Sequence, residues 1–260
     1  MKPWLPMLLF ACGSNAFAQS QSQLEHVAPD PPKTQVHPMS YGEMTQMMGM
    51  DDRRRFGKVM VDRLEWQEGE DSALAWDAAA WYGGDFDKAW LEAEGESVDG
   101  RTHESRVELA WDRIVSPWWS LRAGVRHDGG IGPSRVWLGV GVAGLAPGFL
   151  EVEAALYHGE EGRSALRLTT ERDFRLTQRL VLQPEIELSA YGRDDPEKLV
   201  GAGLSDLKLG LRLRYELRRE IAPYVGLRWV DHFGHTADFR RAVGEESEQL
   251  LWIAGIHAWF

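Results

Sequence analysis

The residues best suited to chemistry lie in one short stretch, His37-Pro-Met39-Ser-Tyr-Gly-Glu-Met44-Thr-Gln-Met47-Met48-Gly-Met50. Five of the eight methionines of the chain fall here. Methionine in a folded protein mostly fills gaps in a core. This stretch sits instead in a polar tail, residues 19–56, that carries Pro29, Pro31, Pro32 and Pro38. The tail shows neither a period of two nor one of 3.6, so it is expected to be largely disordered, with no core to fill. Thioether sulfur is a soft ligand that selects Cu(I), and imidazole suits copper in either oxidation state. Met39, Met44, Met47, Met48 and Met50 are therefore candidate copper ligands, with His37 as a sixth. The competing reading is a short amphipathic helix or a chance cluster.

A second group with metal-binding side chains is His103, His127, His158, His232 and His235. All five fall near strand ends or in loops and are candidates for an outer metal site, although surface imidazoles are common. Nucleophilic catalysis needs a serine and a histidine within hydrogen-bond reach, oriented by a third polar group. No Gly-x-Ser-x-Gly string occurs, and Ser134 and Ser164 are not singled out as partners of His127 or His158. The chain is not expected to be an enzyme.

The elements that must position these residues are strands. From Leu207 every second residue is large and apolar: Leu207, Leu209, Leu211, Leu213, Tyr215 and Leu217. Lys208, Gly210, Arg212, Arg214 and Glu216 lie between them. Successive strand side chains point to opposite faces, so this segment has one oily face and one charged face. It is long enough for the roughly 9–11 residues that a membrane-crossing strand needs. Similar segments recur from about Lys58 to the end, giving about twelve strands. Val107, Leu109 and Trp111 oppose Arg106, Glu108 and Asp112, and Leu180, Leu182, Ile186 and Leu188 oppose Gln183, Glu185 and Glu187.

The connections alternate in length. Gly83 to Asp85, Val115 to Pro117, Gly144 to Pro147, Arg175 to Gln178 and Arg218 to Glu220 are compact. Gly192 to Gly203 and Phe233 to Glu248 are long and fall on the other side. Short turns at one end and longer loops at the other are a feature of outer-membrane barrels. The expected fold is thus all-β: a transmembrane antiparallel up-and-down β-barrel of about twelve strands over residues 57–260. Leucines face lipid and charges face the lumen. There Glu92, Glu94, Glu108, Glu151, Glu153, Glu185 and Glu187 would meet Arg122, Arg126, Arg212, Arg214 and Arg228. Paired, these charges would largely plug the bore; unpaired, they would offer a path for a cation.

Composition agrees. Of 260 residues, 29 are basic and 40 acidic, a formal charge of −11. That leaves no basic excess to neutralise phosphates and excludes nucleic acid as the main partner. Twelve Trp suit a protein with two membrane–water interfaces. Mean hydropathy is −0.37, and past the first twenty residues no apolar run approaches a transmembrane helix.

The two ends add expectations of their own. Lys2, the apolar run Leu5 to Cys12 and Ala16-Phe17-Ala18 read as a secretory signal peptide cleaved after Ala18. A lipoprotein signal at Leu9 to Cys12 is the alternative. Cys12 is the sole cysteine, so the mature chain would hold no disulfide. The last strand alternates Leu250, Trp252, Ala254, Ile256, Ala258 and Phe260, and an aromatic at the end of such a strand suits outer-membrane assembly. His257 falls on the opposite, inward face.

Several strings resemble the copper resistance protein B family of Gram-negative outer membranes. They include Asp62-Arg-Leu-Glu-Trp66, Trp81-Tyr-Gly-Gly-Asp-Phe-Asp-Lys-Ala-Trp90, Gly124-Val-Arg-His-Asp128 and Gly144-Leu-Ala-Pro-Gly-Phe149. Leu176 to Pro184, Gly203 to Glu216, Arg219 to Tyr224 and the closing Trp259-Phe260 continue the likeness. The resemblance implies an outer-membrane barrel used in copper tolerance, with copper ions and the lipid bilayer as partners. Periplasmic copper proteins are further expected partners. It also implies a periplasmic tail whose methionines bind copper, which points to the same residues, His37 among them. Family tails often carry repeated Met-His-Gly-type units; this tail is short and has few histidines. A passive porin is the competing function.

Overall fold

The computed structural model describes residues 40–49, 54–69 and 72–260. The chain divides into two units, Met1–Asp51 and Asp52–Phe260. The expected leader, residues 1–18, lies outside the described residues, as do His37, Met39 and Met50.

The second unit is a closed antiparallel barrel. Its segments are β1 (Phe56–Glu68), β2 (Ser72–Gly83), β3 (Asp87–Val98), β4 (Arg101–Ile114), β5 (Trp119–Gly130), β6 (Arg135–Ala146) and β7 (Leu150–Gly159). They continue as β8 (Ser164–Glu171), β9 (Phe174–Arg175), β10 (Leu180–Tyr191), β11 (Gly203–Tyr215), β12 (Ile221–His232) and β13 (Glu248–Trp259). Both β8 and the short β9 pair with β10, so they are two pieces of one stave and the barrel has twelve. Pairing of β1 with β13 closes it. The last residue completes the seam, with Phe260 N donating to Val59 O at 2.8 Å and Val59 N to Phe260 O at 3.0 Å. Closure leaves no sheet edge, which a bilayer requires.

Alternation decides which side chains face out. Leu209, Leu211, Leu213 and Tyr215 of β11 are exposed on the outer surface, whereas Arg212 between them is buried. On β13, Leu250 and Trp252 are exposed and Leu251 and Ile253 are buried. Phe56, Tyr82, Phe86, Trp111, Trp118, Phe149, Phe174, Tyr215 and Phe260 are all exposed near one end. They form the aromatic girdle expected where a barrel meets the membrane interface. That end carries the short connections, here called the turn end; the other is the loop end. His257 faces inward, as its parity requires, with Nδ1 3.3 Å from Asp62 O.

The structure departs from strict alternation at two bulges. In β1 the register shifts between Val61 and Arg63, which leaves Asp62 as an extra residue. Outward parity passes from Val59 to Leu64 and Trp66, and Arg63, Glu65 and Gln67 turn inward. In β11 the register shifts at Ser205. The loop-end connection between Val98 and Arg101 is tight. Asp99 (φ 50°) and Gly100 (φ 73°) form a two-residue hairpin turn in the left-handed region that glycine favours. The eighth stave breaks at Arg172 and Asp173, between β8 and β9.

The long loop-end connections fold over the mouth. Helix α2 (Gly234–Ala242) places Thr236 at 1% exposure. Gly201 N donates to Thr236 Oγ1 at 2.8 Å, and Ser205 Oγ lies 3.0 Å from the same oxygen. A Cβ on Gly201 would sit 2.5 Å from Thr236 N, so only glycine permits this approach.

Of the first unit, helix α1 (Tyr41–Met47) is described. A tail expected to lack regular structure holds this turn because Ser40 and Glu43 form a capping box. Ser40 N donates to Glu43 Oε2 at 2.9 Å, and Glu43 N to Ser40 Oγ at 3.4 Å. The backbone and side-chain hydrogen bonds from Ser40 hold the Glu43 carboxyl below the usual glutamate range.

Candidate functional sites: the tail methionines and the barrel lumen

Met44, Met47 and Met48 are spaced i, i+3 and i+4, which puts them on one side of the α1 turn. Met48 N donates to Met44 O at 3.0 Å, extending the turn by one residue. All three side chains are exposed, Met47 at 73%. Three thioethers thus share a face with no core behind it among the described residues. The competing reading of this stretch as a short helix is therefore realised over Tyr41–Met47, with Met44, Met47 and Met48 exposed.

In the barrel, the inward charges pair. Arg63 on β1 binds Asp77 at 2.8 Å and Glu185 at 2.9 Å. Arg212 binds both Glu185 and Glu65, the latter at 3.2 Å. Glu65, fully buried, also accepts from Tyr224 Oη at 2.9 Å and from Gln67 Nε2 at 2.8 Å, with Arg228 3.5 Å away. A second net links Arg106 to Glu94, Arg167 to Glu94 and Glu187, and Lys208 to Glu187. Together these form a belt across mid-lumen.

The belt separates two cavities. The turn-end chamber, about 170 Å³, is lined by Arg63, Arg167, Glu185 and Arg212 from the belt. Asp62, Glu92, Glu108, Glu153 and Glu171 add further carboxylates. Glu108 accepts from Tyr157 Oη at 2.8 Å and Glu171 from Gln183 Nε2 at 3.0 Å. The loop-end vestibule, about 230 Å³, meets the belt at Arg106, Lys208 and Arg228 and extends to α2.

The five loop-end histidines do not converge. His127 and His158 share the outward, exposed parity of Val125 and Leu156. His235 on α2 is held by Asp194, 3.1 Å from Nδ1. Only His103 and His232 line the vestibule. Among the described residues no group of three or more His, Cys, Asp or Glu is placed to hold a metal. The outer five-histidine site expected from sequence is not formed, because neighbouring parities send its members to opposite faces. His158 and Ser164 are register partners, yet no hydrogen bond joins their side chains.

The inward charges named from sequence are confirmed as inward. The belt members missed were Arg63 and Glu65, hidden by the Asp62 bulge, and Asp77, Arg167 and Lys208 as partners in it.

Comparison with known proteins places this arrangement. A family profile described as copper resistance protein B precursor (CopB) matches residues 55–260. The chain belongs to the copper resistance protein B family. Copper resistance protein B of Escherichia coli is 43% identical over 203 residues, covering 78% of this chain and 69% of that protein. A copper resistance protein B homolog of Pseudomonas syringae pv. tomato is 38% identical, covering 100% of this chain and 92% of its own length. Among solved structures, the NanC porin has a TM-score of 0.53 at 14% identity, covering 77% of this chain and 98% of its own. The KdgM porin has a TM-score of 0.50 at 12% identity, covering 79% and 99%. At that identity the likeness is one of fold: a porin-like barrel of the outer-membrane type. In this family member the bore carries a belt of buried ion pairs.

Proposed function

We propose that this protein handles copper at the outer membrane through its methionine tail. The tail lies in the periplasm and captures Cu(I), and the barrel anchors the tail or lets copper leave the cell. Met39, Met44, Met47, Met48 and Met50 are the ligands, with His37 as a further donor. Periplasmic copper proteins exchange metal with the tail. The observation that carries this reading is the common exposed face of Met44, Met47 and Met48. Soft sulfur on a short capped turn can wrap Cu(I) with little reorganisation. The reading is non-enzymatic.

The test is Cu(I) affinity of the full chain, measured by competition with a chromophoric chelator. Changing the five tail methionines to leucine keeps their bulk and removes sulfur. Cu(I) affinity should fall by at least an order of magnitude; an unchanged affinity defeats the assignment. A passive porin is the second reading, favoured by the likeness of the barrel to porin folds. Rapid flux of uncharged solutes through the barrel in liposomes, indifferent to copper, would support it.

A further inference from the structure

The loop-end vestibule carries more cationic charge than its own carboxylates neutralise. Eight Arg and Lys side chains line it beside six Asp and Glu. Three of those carboxylates are already held, Asp128 by Arg126, Asp195 by Arg135 and Glu245 by Arg240. Lys198 Nζ donates to Gly129 O at 3.0 Å and meets no carboxylate within ion-pair distance among the described residues. Arg228 makes a single ion contact among them, 3.5 Å from Glu65. Arg106 is 7% exposed. Its Nε, like those of Arg163 and Arg240, is buried without a hydrogen-bond partner among the described residues. Arg106 Nε stands 3.7 Å from Asp128 and Arg163 Nε 3.3 Å from Asp195, ion contacts that lack hydrogen-bond geometry. Buried polar groups are nearly always satisfied, so orphaned guanidinium N–H groups on a cavity wall point to a bound acceptor.

The same cavity also holds groups that call for a donor. Asp206 Oδ2 and His232 Nδ1 are buried and unpartnered among the described residues. Asp206 and His232 are register partners on β11 and β12, and Arg228 shares the inward parity of His232 on β12. A simple inorganic anion would satisfy the guanidinium donors but set like charge against Asp206. A molecule that carries an anionic group together with hydroxyls satisfies both. Its hydroxyls donate to Asp206 Oδ2 and pair with His232 Nδ1 in either tautomer. The cavity, about 230 Å³, admits a molecule of several carbon atoms, since about 10–15 Å³ is enough for one water. Leu199, Val200, Val230 and Leu251 give a carbon skeleton an apolar wall. Small-molecule sites combine such a wall with a few placed polar groups.

We propose that the loop-end vestibule binds a small hydroxylated organic anion. Arg106, Lys198 and Arg228 draw its carboxylate, and Asp206 and His232 meet its hydroxyls. A guanidinium offers paired N–H donors that match a planar carboxylate, which favours this class over a spherical ion. Lys198 belongs to the connection folded over the mouth, so the cover of the vestibule supplies part of the site. The site needs no metal and stands whether or not the tail binds Cu(I).

The test is calorimetric titration of the full-length protein in amine-oxide detergent micelles and metal-free, low-salt buffer. D-gluconate is the probe. Hexanoate carries the carboxylate without hydroxyls, and sorbitol carries hydroxyls without the charge. Gluconate should bind at least about tenfold more tightly than either control, the worth of one charge-assisted hydrogen bond. Lys198→Gln and Arg228→Gln should each weaken gluconate by about the same factor. Asp206→Ala should narrow the gap between gluconate and hexanoate, which a general loss of packing would not do. Heat-modifiable gel migration checks that each variant is folded. Arg228 touches the buried Glu65, so if its variant does not fold, Lys198→Gln decides. Absence of gluconate binding overturns the proposal, as does either control binding as tightly as gluconate. So does a gluconate affinity that both charge-removing substitutions leave unchanged.

Discussion

Arg167 on β8 reaches across the bore to Glu94 on β3, with Nη2 2.8 Å from Oε2. Four staves, β4 to β7, lie between the two strands along the shorter way round the wall, so the contact spans the lumen instead of bracing neighbours. The same guanidinium binds Glu187 at 3.2 Å, and Glu94 is held from its own side by Arg106. This relationship makes the belt a barrier between the two chambers.

Arg167→Ala should therefore raise conductance. The expected outcome in planar bilayers is a several-fold larger single-channel current than wild type. Arg167→Lys, a point charge without the planar fork, should fall between the two. Equal currents for all three proteins would locate the constriction elsewhere.

Glu65 is the most demanding member of the belt. It is fully buried and accepts from Tyr224 and Gln67 while facing Arg212 and Arg228. Removing one partner of a buried pair leaves uncompensated charge and costs about 3–5 kcal/mol. Glu65→Ala should lose about that much in reversible urea unfolding from lipid vesicles, with Glu65→Gln losing less because Gln67 and Tyr224 keep a partner.

The outer face is tested at Leu211, exposed between the buried Arg212 and the inward Gly210. Arginine on the lipid side near mid-membrane costs about 2–4 kcal/mol. Leu211→Arg should show that loss in vesicles, whereas Glu216→Arg in a turn-end connection should be nearly silent. Indifference at Leu211 would mean that this face does not meet lipid.

At the loop end, Asp194 joins two connections. It accepts from Ala202 N at 2.6 Å and contacts His235 on α2 at 3.1 Å. The backbone bond from Ala202, then His235, hold the Asp194 carboxyl below its ordinary value. A depressed carboxylate stabilises at pH above its unfolded value, about 3.9, and that gain is lost as pH falls through the lower folded value. Hydrogen exchange of residues 192–202 should stay slow from neutral pH down to about 4 and quicken below it. Asp194→Asn should quicken it at every pH.

Much of this architecture was legible in the chain itself. The leucine alternation of β11, the long connections at one end and the aromatic Phe260 all follow from a sheet that must show lipid one face. Twelve staves and the inward place of Glu185, Glu187, Arg212 and His257 came from parity alone. Parity failed where one residue is inserted: Asp62 and Ser205 shift the frame, and with it the places of Glu65 and Leu204. Pairing across the bore was equally hidden, because Arg167 and Glu94 are 73 residues apart and no local pattern joins them. The split of the histidines between faces could have been read from the apolar neighbours of His127 and His158. The α1 turn had a visible signal too, the Ser40-x-x-Glu43 box.

Glu65 lies on the first stave, and its partners Arg212, Tyr224 and Arg228 lie on β11 and β12, near the end of the chain. During synthesis the carboxylate waits for almost the whole polypeptide before its counter-ions exist. Until the first and last staves meet, Glu65 lacks those counter-ions, and a carboxylate buried without them is costly. Sealing of the barrel and neutralisation of this carboxylate are thereby one event.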